Sequence, residues 1–546
     1  MSTQIPPTPK RARLNPTKEA NAAAAAGPVA TIVCQFRNAL DGSLLGPAVS
    51  LPADTSREGL ELLANTLRGS EQDPVPFAFH LNLPNTTQEE NVEDSRIAIT
   101  TSLHVDLLTK HATKVSTEDV FVIECEPEAV FRVREITRCS SSLDGQFGDC
   151  TDLYYYCLLT PMRLGGSLCD SGHASPILCA SFSPTGRILA TGSGDNTCRL
   201  WNLDTETPQS TLKGHTGWLL CVEWDGLERT VATGSMDNSV RLWDPKTGLA
   251  IGDALRGHSK WITSLAWEPV HLQVHRAANV AKPRLASSSK DSTVRVWNVK
   301  AQRLDFSLGG HTASVNVVRW GGEGVIYTAS SDRTVKLWSG KDGKLIRTLS
   351  EHAHWVNTMA LNTDFILRSG PYDQKAKTPA NDEEAQALAL ARYQKFTSTQ
   401  PELMITGSDD HTLFLWSPLA SDNPKKPLAR LTGHQKQVNH VAFSPDGKFI
   451  ASAGFDNAVK LWDGRTGKFI ASLRGHVAAV YRISWSSDSR MLVSASKDST
   501  LKLWDLKTYK IRVDLPGHTD EVYCVDFVAD KIASGGRDKK VKIWRH

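Results

Sequence analysis

GHTGWLLCVEWDGLERTVATGSMDNSVRLWD, residues 214–244, places His215, Thr233, Asp237 and Trp243 in one short stretch, the residue types of a catalytic triad or of a structural relay. The two are separated by counting. A nucleophilic site is built once per active site, whereas a constellation repeated along the chain belongs to the scaffold. This one occurs eight times. Each strand-like run that closes on Trp has an Asp six residues before it, a Ser or Thr four before the Asp, and a His further upstream. The other sets are His173, Thr191, Asp195, Trp201; His258, Ser287, Asp291, Trp297; His311, Thr328, Asp332, Trp338; and His352, Thr406, Asp410, Trp416. They continue with His434, Ser452, Asp456, Trp462; His476, Ser494, Asp498, Trp504; and His518, Ser534, Asp538, Trp544.

A repeated set needs a structural reason for each residue. The Asp falls in a tight turn (SGDNT, SMDNS) where it can accept a hydrogen bond from the upstream His; the hydroxyl bridges, and the indole N–H ends the relay. Each bond is worth about 1 kcal/mol net, and more is lost when one buried partner is left alone. The runs between these residues (ILCASFSP, RILATGSGD, NTCRLWNL, PQSTLKG) alternate like short antiparallel strands, punctuated by turns such as SPTG and PKTG.

With a Gly-His start, a turn Asp and a closing Trp-Asp or its variants, the units resemble WD repeats, which run about 40 to 45 residues and give four strands to a propeller blade. The resemblance implies eight blades. Steps between closing Trp residues are 40 to 46 residues except from Trp243 to Trp297 and from Trp338 to Trp416. Those two hold insertions, one across 268–284 and one across 364–401. The second contains NDEEAQALALARYQKF, read as a short amphipathic helix on a surface loop. The last repeat ends at VKIWRH with no outer strand of its own, so residues 137–143 are expected to supply it and close the ring.

At 546 residues, 40% hydrophobic and net charge +3, the composition is that of an ordinary soluble protein, long for one domain unless a repeat closes on itself. No run of apolar residues is long enough to span a membrane and no signal-peptide pattern is visible. Ten Cys occur without a C-x-x-C pair; Cys179, Cys221 and Cys524 fall in strand patterns and read as buried thiols of an intracellular protein.

Ahead of the repeats, residues 1–28 are rich in Pro, Ala, Lys and Arg and are expected to be disordered; their PKRAR is a candidate nuclear import signal. Residues 29–127 read as a small α+β domain. TIVCQFRN and GPAVSLP suggest a hairpin. TSRE (55–58) is a capping box opening a helix with Leu60, Leu63, Ala64 and Leu67 on one face, and PFAFHLNL, RIAITTSLHVDLL and DVFVIECEP follow as strands. That order is the order of a ubiquitin-like β-grasp. Arg163, Leu164, Gly165 and Gly166 echo the ubiquitin tail but lie internally, so processing there is not expected.

A ubiquitin-like domain at 29–127, then a propeller over 128–546, with the junction EAVFRVREITRCSSSLDG, resembles the Notchless family of ribosome assembly factors across residues 30–546. The resemblance implies a monomeric, non-enzymatic factor of the nucleus and nucleolus, with no membrane partner and no cofactor of its own. Its propeller would dock on precursors of the large ribosomal subunit, meeting ribosomal RNA and other assembly factors. Its ubiquitin-like domain would be gripped by the AAA ATPase midasin, where an acidic residue completes the shell of a Mg²⁺ held in the MIDAS domain of midasin. Such a hard ion takes near-octahedral oxygen ligands and keeps a position for a partner's carboxylate. In KVSTEDVFVI the polar turn Ser116, Thr117, Glu118, Asp119 precedes a hydrophobic strand; Glu118 is the expected metal ligand and Asp119 its competitor.

Residues 146–172 show no blade pattern; they are a loop peculiar to this protein or a segment foreign to the functional product. Lys497, Lys502, Lys531, Arg537, Lys539, Lys540 and Lys542 give the late blades an excess of positive charge. Lys502 and Lys542 sit two before a Trp, a recurrent fold position, and Lys539 and Lys540, in the turn after Asp538, are the candidates for contact with RNA or another particle component. A ubiquitin-pathway adaptor that uses the propeller to capture a substrate is the alternative function. An enzyme fits least: no phosphate-binding G-x-x-x-x-G-K-S/T loop, metal-ligand spacing or unrepeated nucleophile is present.

Overall fold

The computed structural model describes residues 31–38, 43–52, 55–67, 77–82, 96–99, 120–127, 138–143, 172–273, 283–372, 379–419 and 426–545. The chain divides into two units, one ending at Val130 and one beginning at Phe131.

In the first unit β1 (Thr31–Asn38), β2 (Val49–Pro52), β3 (Phe77–Asn82), β4 (Arg96–Ile99) and β5 (Val120–Pro127) form one mixed sheet in the order β2-β1-β5-β3-β4. β1 and β5 run parallel at its centre, with Val33 opposite Val120. Alternation decides the buried face: Ile32, Cys34 and Phe36, then Phe77, Phe79 and Leu81, then Phe121, Ile123 and Cys125 all point into one core. Helix α1 (Arg57–Leu67) closes that core with Leu60 and Ala64, flanked by Leu63 and Leu67. Its cap is one residue later than the sequence motif suggests. The Ser56 hydroxyl accepts from Gly59 N–H at 3.3 Å, while Thr55 Oγ1 donates back to Pro52 O, a local turn that competes with capping.

In the second unit, strands β7 (Ile177–Phe182) through β34 (Lys510–Leu515) form seven four-stranded antiparallel sheets, each from four consecutive strands. β35 (Val522–Val528), β36 (Lys531–Gly536) and β37 (Val541–Arg545) form the eighth with β6 (Arg138–Leu143). Innermost strands of successive sheets touch, and β35 touches β7, so the eight sheets close into a propeller. As expected, residues from before the first blade complete the last, with Leu143 opposite Val541 and Arg138 opposite Arg545.

The repeated residues hold each blade together. In all eight, His Nδ1 lies 2.7–3.0 Å from the turn Asp. His Nε2 lies 2.7–2.9 Å from the Ser or Thr hydroxyl. The indole N–H donates to that hydroxyl at 2.8–3.0 Å. The residue after each Asp is left-handed, φ 62–69°, which turns the chain tightly enough to present the carboxylate inward. At Gly257 of one Gly-His start, φ is +158° and a Cβ would meet the Arg295 guanidinium at 2.4 Å, so a side chain there would be strained and would displace that guanidinium.

The two insertions are more than surface loops. The second forms α2 (Asp364–Ser369) and α3 (Asp382–Thr399), and α3 buries Ala385, Gln386, Ala389 and Tyr393. Tyr393 stacks on His271 of the first insertion, centroids 4.9 Å apart, and His271 Nε2 reaches Gly322 O at 2.9 Å. Small and polar residues make that buried stripe, so an apolar periodicity is a poor guide to it.

Candidate functional site

Eight complete relays, all turned inward, leave no unique nucleophile among them. Geometry fixes one donor order: His Nδ1–H to Asp, hydroxyl to His Nε2, indole N–H to the hydroxyl oxygen. Burial holds His173 and His258 below the usual imidazole value, so both stay neutral near pH 7. Burial alone would raise Asp291; bonds from Thr293, the Ser259 N–H and His258 overcome it and hold the carboxyl at about 2. In Asp332 the balance is the same, and bonds from His311, Thr334 and the Thr312 N–H keep it low. Replacing Asp332 by Ala strands those donors and is expected to cost about 3 kcal/mol, read as a lower denaturant midpoint, while Asp342→Ala on the exposed surface leaves the midpoint unchanged.

The innermost strands enclose a cavity of about 350 Å³ on the propeller axis, lined from all eight blades. Its acidic and basic residues are Glu223, Glu268, Arg319, Asp364, Arg368, His440, Arg482 and Asp526. Arg368, carried in by α2, forms a two-pronged pair with Asp526 and donates to Phe182 O. Arg319 lies 3.5 Å from Asp364. Burial raises the Glu223 carboxyl, and burial with Arg482 and Arg319 nearby keeps His440 well below the ordinary imidazole range. Cys179 lines this cavity too, but burial pushes its thiol up to about 12, which removes the thiolate a nucleophile needs. Two ionic pairs, Arg368 with Asp526 and Arg319 with Asp364, thus line the cavity beside inert thiols. Among the described residues no set of three His, Cys, Asp or Glu side chains is placed to hold a metal ion.

Glu118 and its neighbours Ser116, Thr117 and Asp119 lie outside the described residues, one to four positions ahead of Val120, which opens β5. The late-blade cations lie within them and are mostly committed. Lys497 pairs with Glu521 at 3.6 Å, Lys502 with Asp514 at 2.5 Å, Lys531 with Asp204 at 3.3 Å, and Arg537 with Asp520 at 3.6 Å. Lys539 is exposed in its left-handed turn; Lys540 is half-buried beside Asp538.

Two features escaped sequence reasoning. Arg368 belongs to an insertion, so no repeat register announces that it enters the axis. Three exposed Trp residues, Trp218, Trp261 and Trp355, stand at the third position after a repeat His; comparing repeats at that position would have found them.

Known proteins share this combination. The family model "WD domain, G-beta repeat" matches residues 166–202, 206–244, 251–298, 302–339, 425–463, 467–505 and 509–545, and the model "NLE (NUC135) domain" matches 32–104. Ribosome assembly protein 4 of Saccharomyces cerevisiae is 46% identical over 86% of this chain and 85% of its own length. Notchless protein homolog of Arabidopsis thaliana is 43% identical, covering 81% of each, and Protein Notchless of Drosophila melanogaster is 43% identical over 74% and 73%. The chain belongs to the Notchless family. That family is non-catalytic, in keeping with the inert relays and thiols. The repeat model passes over the blade from His352 to Trp416, which the structure nevertheless builds as a full four-stranded sheet around its 364–401 insertion. A crystal structure of the computationally designed Ika8 protein covers 69% of this chain and 98% of its own at a TM-score of 0.52 and 24% identity, a likeness of fold alone.

Proposed function

We propose that this chain is an assembly factor for precursors of the large ribosomal subunit, acting in the nucleus and nucleolus. The observation that carries the reading is the kinship with Ribosome assembly protein 4, extending through both units. The propeller is the docking platform. The N-terminal unit is a ubiquitin-like handle, a reading supported by one helix against a five-stranded sheet whose parallel β1–β5 pair is central. Midasin grips that handle through its MIDAS domain, and Glu118 supplies a carboxylate oxygen to the Mg²⁺ held there. Glu118 stands two residues ahead of the strand flanked on both sides in the sheet, a rigid base for a donated ligand.

Connectivity suggests how force would pass. The chain leaves β5 at Pro127 and enters β6 at Arg138, so tension on the N-terminal unit loads the strand that closes the propeller before any other blade strand. Lys539 and Lys540 are candidate particle contacts, Lys539 the freer of the two. The test is sedimentation of the tagged full chain in cell extract. Cosedimentation with large-subunit precursors is the expected result; comigration with proteasomes instead would favour the ubiquitin-pathway adaptor.

A further inference from the structure

We propose that one end of the propeller binds unpaired RNA across blades 2 to 5, with Trp218, Trp261 and Trp355 stacking the bases. The proposal rests on the assembly reading and names a surface for it. Each indole follows a repeat His by three residues, and each backbone is fixed the same way: the Trp carbonyl accepts from the N–H of the residue after the turn serine, Met236 at 2.8 Å, Lys290 at 3.0 Å and Asp409 at 3.0 Å. All three therefore stand at the end of the propeller that carries the aspartate turns. Their side chains are 53%, 39% and 52% exposed, whereas the blade-closing Trp243 is 2% exposed. Indoles half-exposed at a repeated position leave a face open to a partner.

Charge indicates what covers them. Arg256, Lys260 and Arg333 are exposed at the same end, and their side chains make no hydrogen bond or ion pair with a described residue. Lys290 Nζ lies 4.2 Å from the centre of the Trp261 ring. The acids of these blades, Asp237, Asp291 and Asp332, are turned inward onto His215, His258 and His311. Blades 7 and 8 differ, because there Lys497 and Arg537 face Glu521 and Asp520. The turns of blades 2 to 4 thus present cations interleaved with indoles, and an exposed acid of this end, Glu351, lies after them, ahead of His352. That arrangement tracks a phosphate backbone while stacking successive bases whatever their sequence. A duplex keeps its bases stacked inside and could not use the indoles.

The experiment is fluorescence anisotropy with the full chain and a labelled uridine RNA of about 15 nucleotides, near the upper site size of one single-strand-binding domain. A duplex of the same length and a polyglutamate peptide are run beside it. Wild type is expected to prefer the single strand. Affinity should fall about ten-fold for each of Trp218→Ala, Trp261→Ala and Trp355→Ala, with Trp261→Phe retaining most of it. Arg256→Gln with Lys260→Gln should flatten the salt dependence. Unchanged binding in the triple Ala variant, equal affinity for duplex, or polyglutamate binding that fails in the same variants would each overturn the proposal. Cosedimentation of wild type with large-subunit precursors is read separately: if it persists while RNA binding is absent, only this proposal fails.

Discussion

Deleting residues 1–143 is expected to produce a propeller that melts roughly 5–10 °C lower and aggregates, while deleting 1–130 leaves its melting unchanged. The difference is β6. It pairs with β37 from Arg138 to Leu143, and Cys139 packs on the cluster formed by Leu501, Val525, Phe527 and Trp544. With about five ladder bonds at about 1 kcal/mol net each, the strand is worth about 5 kcal/mol before side-chain packing is added. Its loss also bares β37 as an open edge, which invites pairing with other chains. Differential scanning calorimetry with light scattering checks both effects. Equal melting of the two truncations would show that the ring closes without β6.

Glu118→Asp is expected to be nearly as damaging as Glu118→Ala. A carboxylate completing a Mg²⁺ shell needs its oxygen at about 2.0–2.1 Å, and removing one methylene withdraws it even though the charge is kept. Stability should hardly change, because surface substitutions typically shift it by about 0.5 kcal/mol or less and KVSTED reads in sequence as a polar turn. Either variant should still enter precursor particles through the propeller, fail to be released by the ATPase, and act dominantly over the wild type. Gradient profiles after expressing each variant beside the wild type report this. Normal release of Glu118→Ala would remove the acid from the account.

The propeller was readable because a satisfied relay demands particular residues at fixed offsets. His, Ser or Thr, Asp and Trp can close the same bonds only at the same positions in every blade, so the pattern survives even where 364–401 interrupts the fifth. The core of the N-terminal unit was readable for a related reason, since period-two alternation in three strands chooses the buried face. What escaped depends on contacts between distant segments. Arg368 meets Asp526 across the axis, and α3 seats Tyr393 against His271 and Glu402, pairings with no local periodicity. The late lysines look like a patch in sequence because the acids that pair with them, Asp204, Asp514 and Glu521, come from other strands and turns. At the cap of α1, Thr55 and Ser56 are chemically equivalent as letters, and only the turn back to Pro52 selects Ser56.

The central claim is that the chain is handed to midasin through a metal-bound acid. Its most direct test is a pull-down of the full-length protein by the MIDAS domain of midasin, in Mg²⁺ and again with chelator. The account predicts binding in Mg²⁺, none with chelator, and none by Glu118→Ala or Glu118→Asp in either condition. Binding that survives chelation, or full binding by Glu118→Ala, would contradict it.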